Sequence, residues 1–145
     1  MDYPNVDSPP TISAFGVGRM SAGWTSEVAW SRGDLTAWWR DEYGVQVEAR
    51  FDSEPQSVCG LEGPGVLVVY RCSEVGESNA VVLHLDGSER GRVALPRRFH
   101  LSCFQQAYWG GGHLHLYVNA AGTTWRCSLD EQTLECRDIE NAPHS

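Results

Sequence analysis

The sequence predicts an α+β fold, mostly β: antiparallel meander sheets, blade-like or packed as a sandwich, with one N-terminal helix near 34–43. Three observations predict it. From Gly65 onward the chain runs in short strand-like segments joined by loops of three to seven residues. Connections that short join antiparallel neighbours, because a parallel crossover takes about a dozen residues or more. A weak internal repeat sets Gly65–Tyr70 (GVLVVY) against Gly112–Tyr117 (GHLHLY), and turns at Leu85-Asp86 and Leu129-Asp130 follow at similar distances. Helical spacing occurs convincingly only at Asp34–Tyr43. There Asp34 is placed to cap the N-terminus, Leu35, Trp38, Trp39 and Tyr43 fall on one face, and Gly44 is suited to close the last turn.

The order of elements follows from the same periodicities. Residues 1–10, with Pro4, Pro9 and Pro10, read as an extended arm, and residues 11–145 as one β-rich domain. Thr11–Phe15 and Glu27–Trp30 are short strand candidates. After the helix, Val45, Val47, Ala49 and Phe51 alternate with Gln46, Glu48, Arg50 and Asp52, the period of a strand with one buried face. Seven further strands are expected at Val66–Cys72, Asn79–Leu85, Arg92–Leu95, His100–Trp109, His113–Val118, Thr123–Leu129 and Leu134–Ile139. The repeat spacing resembles the four-stranded blade of a β-propeller, which takes about 40 to 50 residues. Two such units cannot close a ring, so the resemblance implies packed blade-like sheets, with the N-terminal third covering one of them.

Composition narrows the function. The 145 residues suit one domain, and six Trp, five Tyr and four Phe supply large core side chains. All eleven basic residues are Arg, which removes Schiff-base, phosphate-loop and general-base lysine chemistry. The net charge is −8, with ten acids against four Arg in residues 1–64. Such an excess repels nucleic-acid phosphates and anionic membranes and attracts a basic protein. Met1–Pro10 has no basic-then-apolar pattern and no apolar run approaches a membrane span, so a cytoplasmic location is expected. The five Cys (59, 72, 103, 127 and 136) then read as reduced thiols, with Cys127 and Cys136 directly opposite each other across the final hairpin.

The motif census yields no catalytic residue and no cofactor. His113 and His115, at i and i+2 on one strand face, are the weak metal alternative, but the carboxylate and third His of a cupin-like site are missing. Gly16–Ser21 replaces the third glycine of a dinucleotide loop by Ser, Gly87-Ser88 sits in a polar turn, and no Cys carries an adjacent base in sequence. Arg97-Arg98-Phe99-His100 is the one basic cluster, too small for a nucleic-acid footprint, and reads as a solvated strand entrance paired to nearby acids. Aromatic anchors ringed by acids occur once, in Trp38, Trp39, Asp41, Glu42, Glu48, Asp52 and Glu54. These are the expected partner-binding residues, since Trp anchors interfaces and carboxylates steer a basic partner.

In size, acidity, the empty motif census and this Trp-rich acidic segment, the chain resembles the small acidic immunity proteins that bacteria encode beside contact-delivered toxins. The resemblance implies a non-enzymatic, cytoplasmic inhibitor that binds and neutralises a cognate toxin or effector, with neither nucleic acid nor membrane as partner. Two alternatives stand beside it. One is a small β-fold metal or thiol enzyme using His113 and His115, and the other is a propeller-like adaptor module.

Overall fold

The computed structural model describes residues 27–142. The arm at 1–10, the strand candidate Thr11–Phe15 and the Gly16–Ser21 stretch lie outside the described residues. Among the described residues the chain forms β1 (Thr36–Arg40), β2 (Gln46–Arg50), β3 (Ser57–Gly60), β4 (Val66–Val69), β5 (Ala80–Leu83) and β6 (Glu89–Arg92). A 3-10 turn at Arg97–Phe99 precedes β7 (Phe104–Gly110), β8 (His113–Ala120), β9 (Thr123–Asp130) and β10 (Glu135–Asn141). These strands make three antiparallel sheets: the β1-β2 hairpin, the meander β3-β4-β5-β6 and the meander β7-β8-β9-β10.

The expected helix over 34–43 is not formed, and β1 occupies its centre. The Asp34 carboxylate expected to cap the helix is used in a turn instead, and so is that of Asp41. Asp34 accepts a hydrogen bond from the Ser31 amide (3.1 Å), while Asp41 accepts from the amides of Tyr43 (2.9 Å) and Val45 (2.8 Å). Gly44, at φ +81°, closes the β1-β2 turn, a role glycine fills as readily as a helix end. Between these turns Thr36, Trp38 and Trp39 favour a pleated strand, and a lone helix of about ten residues is marginal in water. The alternating 46–50 segment supplies the pairing edge, with Ala37 opposite Ala49 and Trp39 opposite Val47.

Layering follows from which faces are apolar. The middle meander is buried on both sides, since β4 and β5 are apolar and buried at every position. One side, through Val66, Val68, Val81 and Leu83, packs against Ala37 and Trp39 of the hairpin. The other, through Leu67, Val69, Ala80 and Val82, packs against Phe104, Leu114, Leu116 and Val118 of the last meander. The N-terminal part thus covers one sheet as expected, but as a hairpin. The internal repeat also falls into place: β4 and β8 are the second strands of their meanders, and the turns after Leu85 and Leu129 each join third strand to fourth.

Polar links tie the two meanders together. The buried Asn79 amide donates to the carbonyls of Tyr70 and Phe104 (both 2.7 Å) and accepts from the Phe104 amide (2.9 Å). The Ala107 amide donates to Ser57 (3.1 Å) and the Trp109 indole to the Gly60 carbonyl (2.9 Å). Past the far end of the meander, the Glu131 carboxylate receives the amides of Glu62 (2.6 Å) and Gly63 (2.9 Å).

Several strand boundaries differ from expectation. The strand expected at Arg92–Leu95 is Glu89–Arg92, because the tight 84–88 turn starts the ladder directly after Ser88. Its residues, Glu, Arg, Gly and Arg, carry no apolar period to read. Of His100–Trp109, only Phe104 onward is strand. Arg97–Phe99 turns instead, burying Phe99 while Arg98 lies over the Trp125 ring at 4.5 Å. A cation over an aromatic face replaces the expected pairing with acids.

The cysteines require two corrections. Cys72 and Cys103 form a disulfide with their Cα atoms 5.8 Å apart, so the thiols are not all reduced. In the last hairpin Cys136 pairs with Leu129, and Cys127 lies one diagonal away. The pairing of Asp130 with Glu135 fixes that offset. The two thiols nevertheless meet at the edge of the core, Cys127 buried and Cys136 half-buried, where the hydrogen bond with Cys127, followed by burial, pushes the Cys136 thiol far above its ordinary range.

Turn chemistry yields a first prediction. The β8-β9 turn places Ala121 (φ 51°) and Gly122 (φ 78°) in the left-handed region, the geometry of a two-residue type I′ hairpin. An alanine pays about 1 kcal/mol there, and asparagine less. Ala121→Asn is expected to raise unfolding free energy by about 0.5 kcal/mol, read as a higher urea midpoint with an unchanged slope. A lower midpoint would refute the turn assignment.

Candidate functional site

The strand geometry of β1 separates the two tryptophans on which the expected interface rests. Successive strand residues face opposite sides. Trp39 is 0% exposed, and its indole donates to the Leu85 carbonyl at 2.7 Å. It is therefore a core residue, not an anchor offered to a partner. Trp38 lies half-buried on the hairpin's outer side, opposite Glu48 in register, with its backbone bridged to Ala29.

The expected acids also divide. Asp41 and Glu42 occupy the turn between β1 and β2. Glu48 lies mid-strand, 3.7 Å from Arg50. Asp52 and Glu54 follow β2 at the other end of the hairpin, where Glu54 pairs with Arg71 at 3.4 Å. A five-residue strand spans about 17 Å, so the seven expected residues do not converge on one spot. What the fold brings together is the turn itself. Asp41, in addition to its two carboxylate contacts, accepts the Gly44 amide on its carbonyl (3.0 Å), and the Arg40 guanidinium donates to the Gly44 carbonyl (2.9 Å). The tip is thus held rigidly while Tyr43 stands 83% exposed and Val45 59% exposed beside Asp41 and Glu42.

Tyr43 and Val45 are not among the expected interface residues, because helical spacing makes Tyr43 the closing residue of an apolar face and the strand period makes Val45 the first residue of a buried one. The signal was nonetheless present in Asp41-Glu-Tyr-Gly44, since Asp at the first and Gly at the fourth position is a type I turn pattern.

The outer face of the last meander carries the histidines. Leu114, Leu116 and Val118 point to the core, which leaves His113 exposed and His115 half-buried on the far side, as the alternation predicts. Their rings lie 6.4 Å apart. His115 Nε2 is 3.0 Å from the Gly110 carbonyl, and the Tyr108 ring lies 5.9 Å from the His115 ring. Tyr108 and Tyr117 join through their hydroxyls, and Arg126 pairs with Glu140. Among the described residues no group of three or more His, Cys, Asp or Glu side chains is arranged to hold a metal ion. Of the free thiols, Cys59 is pushed up to about 11 by burial, which keeps it protonated and unreactive at neutral pH.

Comparison of the chain with known protein families, with curated proteins and with solved structures returns no match. Among the described residues no helix is long and apolar enough to cross a membrane.

Proposed function

We propose that this protein is a binding inhibitor of the immunity type, which neutralises a cognate, basic toxin or effector through the β1-β2 turn and the acids around it. The observation that carries the reading is the rigid turn presenting Tyr43 at 83% exposure beside Asp41 and Glu42. A preordered aromatic contributes contact area at low entropic cost, and Tyr is enriched among interface hot spots. Asp41, Glu42 and, further along the hairpin, Glu48, Asp52 and Glu54 steer a basic surface towards it. Trp38 supplies half-buried apolar area on the same hairpin, whereas Trp39 serves by holding the hairpin to the middle sheet. The cytoplasmic location first expected is set against the Cys72–Cys103 disulfide, which supports an oxidising compartment as the place of work.

Co-expression with the product of the adjacent gene tests the proposal. A one-to-one complex and relief of that product's toxicity are expected. Tyr43→Ala should weaken the complex by about 30-fold, the scale of a hot-spot residue, with an unchanged melting temperature. Absence of a complex, or a Tyr43→Ala variant that binds as well as the parent, sinks it. The two four-stranded meanders with matching turn positions favour a second reading, a propeller-like adaptor. An adaptor would bind its partner without relieving toxicity.

A further inference from the structure

A cavity of about 350 Å³ opens at the end of the middle sheet, between the segment following β2 and the β4-β5 loop. Its walls carry both charges: Arg71 and Arg92 as cations, Glu74 and Glu77 as anions, with Ser73 and Tyr70 between them. The cations are only partly used. Arg71 spends one nitrogen on Glu54 and Arg92 one on the Ser78 carbonyl (3.0 Å), out of the five N–H donors each guanidinium carries. Glu74 and Glu77 form no ion pair among the described residues. The Tyr70 ring packs edge-on against Phe51 at 6.1 Å, and burial raises its phenol's pKa, so it stays a neutral donor at neutral pH. The wall is also anchored: Cys72, between Arg71 and Ser73, is bonded to Cys103, and the Gly76 amide donates to the Ser102 carbonyl at 2.9 Å.

We propose that this cleft binds a free α-amino acid, its carboxylate on Arg71 and Arg92 and its ammonium on Glu74 and Glu77. A simple anion placed there would meet two carboxylates, and a simple cation two guanidinium groups. A small zwitterion satisfies both walls with charge-assisted hydrogen bonds. The volume lies at the small end of ligand sites and leaves room for an amino acid. The hairpin tip is not involved, and binding of a free amino acid is measured with no protein partner present, so the test of this site does not depend on the inhibitor reading.

Isothermal titration calorimetry of the full, oxidised chain against the common L-amino acids tests the proposal, followed by N-acetyl and methyl-ester forms of any that binds. At least one amino acid is expected to bind, and blocking either end should weaken it by about tenfold or more, on the scale of one lost charge-assisted contact. Arg92→Gln and the exposed Glu77→Gln should each weaken it comparably, with an unchanged melting temperature for Glu77→Gln. The proposal is overturned if no amino acid binds, if the blocked forms bind as well as the parent, or if inorganic phosphate competes as strongly as the amino acid.

Discussion

Trp39→Ala is expected to lower the unfolding free energy by about 4 kcal/mol. The indole is 0% exposed and fills the space between the hairpin and the middle sheet beside Ala37, Val58, Val68 and Leu83. Truncation removes the largest side chain of that layer and leaves a cavity that two strands and a sheet cannot easily collapse. It also leaves the Leu85 carbonyl without the donor now 2.7 Å away, and a buried orphan acceptor adds about 1 kcal/mol or more. Trp39→Phe separates the contributions by keeping most of the volume while losing the N–H. Urea titration followed by far-ultraviolet circular dichroism measures both. A loss under about 1 kcal/mol for Trp39→Ala would mean that the hairpin does not share the core of the middle sheet.

Breaking the Cys72–Cys103 bond is expected to cost nearly as much. The bridge closes a loop with a sequence separation of 31, for which the chain-entropy relation gives about 3.7 kcal/mol at room temperature. Cys103 is buried whereas Cys72 is exposed, so Cys72→Ser is the cleaner variant: it places its new hydroxyl in water. Its urea midpoint should fall to that of the reduced parent, and adding reductant to the variant should change nothing. Alkylation and mass spectrometry of the protein isolated under non-reducing conditions should label Cys59, Cys127 and Cys136 on unfolding, but neither Cys72 nor Cys103. Five labelled cysteines would remove the bond and, with it, the support for an oxidising compartment.

Much of the fold was legible because its signals are local. The alternation of His113, His115 and Tyr117 with Leu114, Leu116 and Val118 sets a strand and its buried face without reference to anything distant. The spacing of Leu85-Asp86 and Leu129-Asp130 marks equivalent turns. What escaped depended on partners far away in sequence. Residues 34–43 carry helical and strand signals together, and the choice is made by the 46–50 segment pairing beside them and by Leu85 receiving the Trp39 indole. Glu89–Arg92 has no apolar pattern because it is an edge strand held by β5 alone. The bond between Cys72 and Cys103 needs two loops brought together by the packing of one meander on the other, which no spacing rule reveals. The expected partner-binding residues lie on and after the β1-β2 hairpin, but the fold spreads them along it and turns Trp39 into the core. A helix would have kept Tyr43 on one face with both tryptophans, whereas the hairpin exposes Tyr43, half-buries Trp38 and buries Trp39.

Valine and leucine faces attract one another without saying where along their length they should meet, because dispersion and water exclusion have no preferred alignment. The two meanders solve this with dowels. Glu131 seated on the amides of Glu62 and Gly63 fixes one end of β4, while Asn79 clasping Tyr70 and Phe104 fixes the other, next to the Cys72–Cys103 bridge. Two pegs in a plane remove both sliding and rotation. The layers can therefore be greasy and still join in one way only, so that the hairpin riding on the middle meander points its tip in a fixed direction.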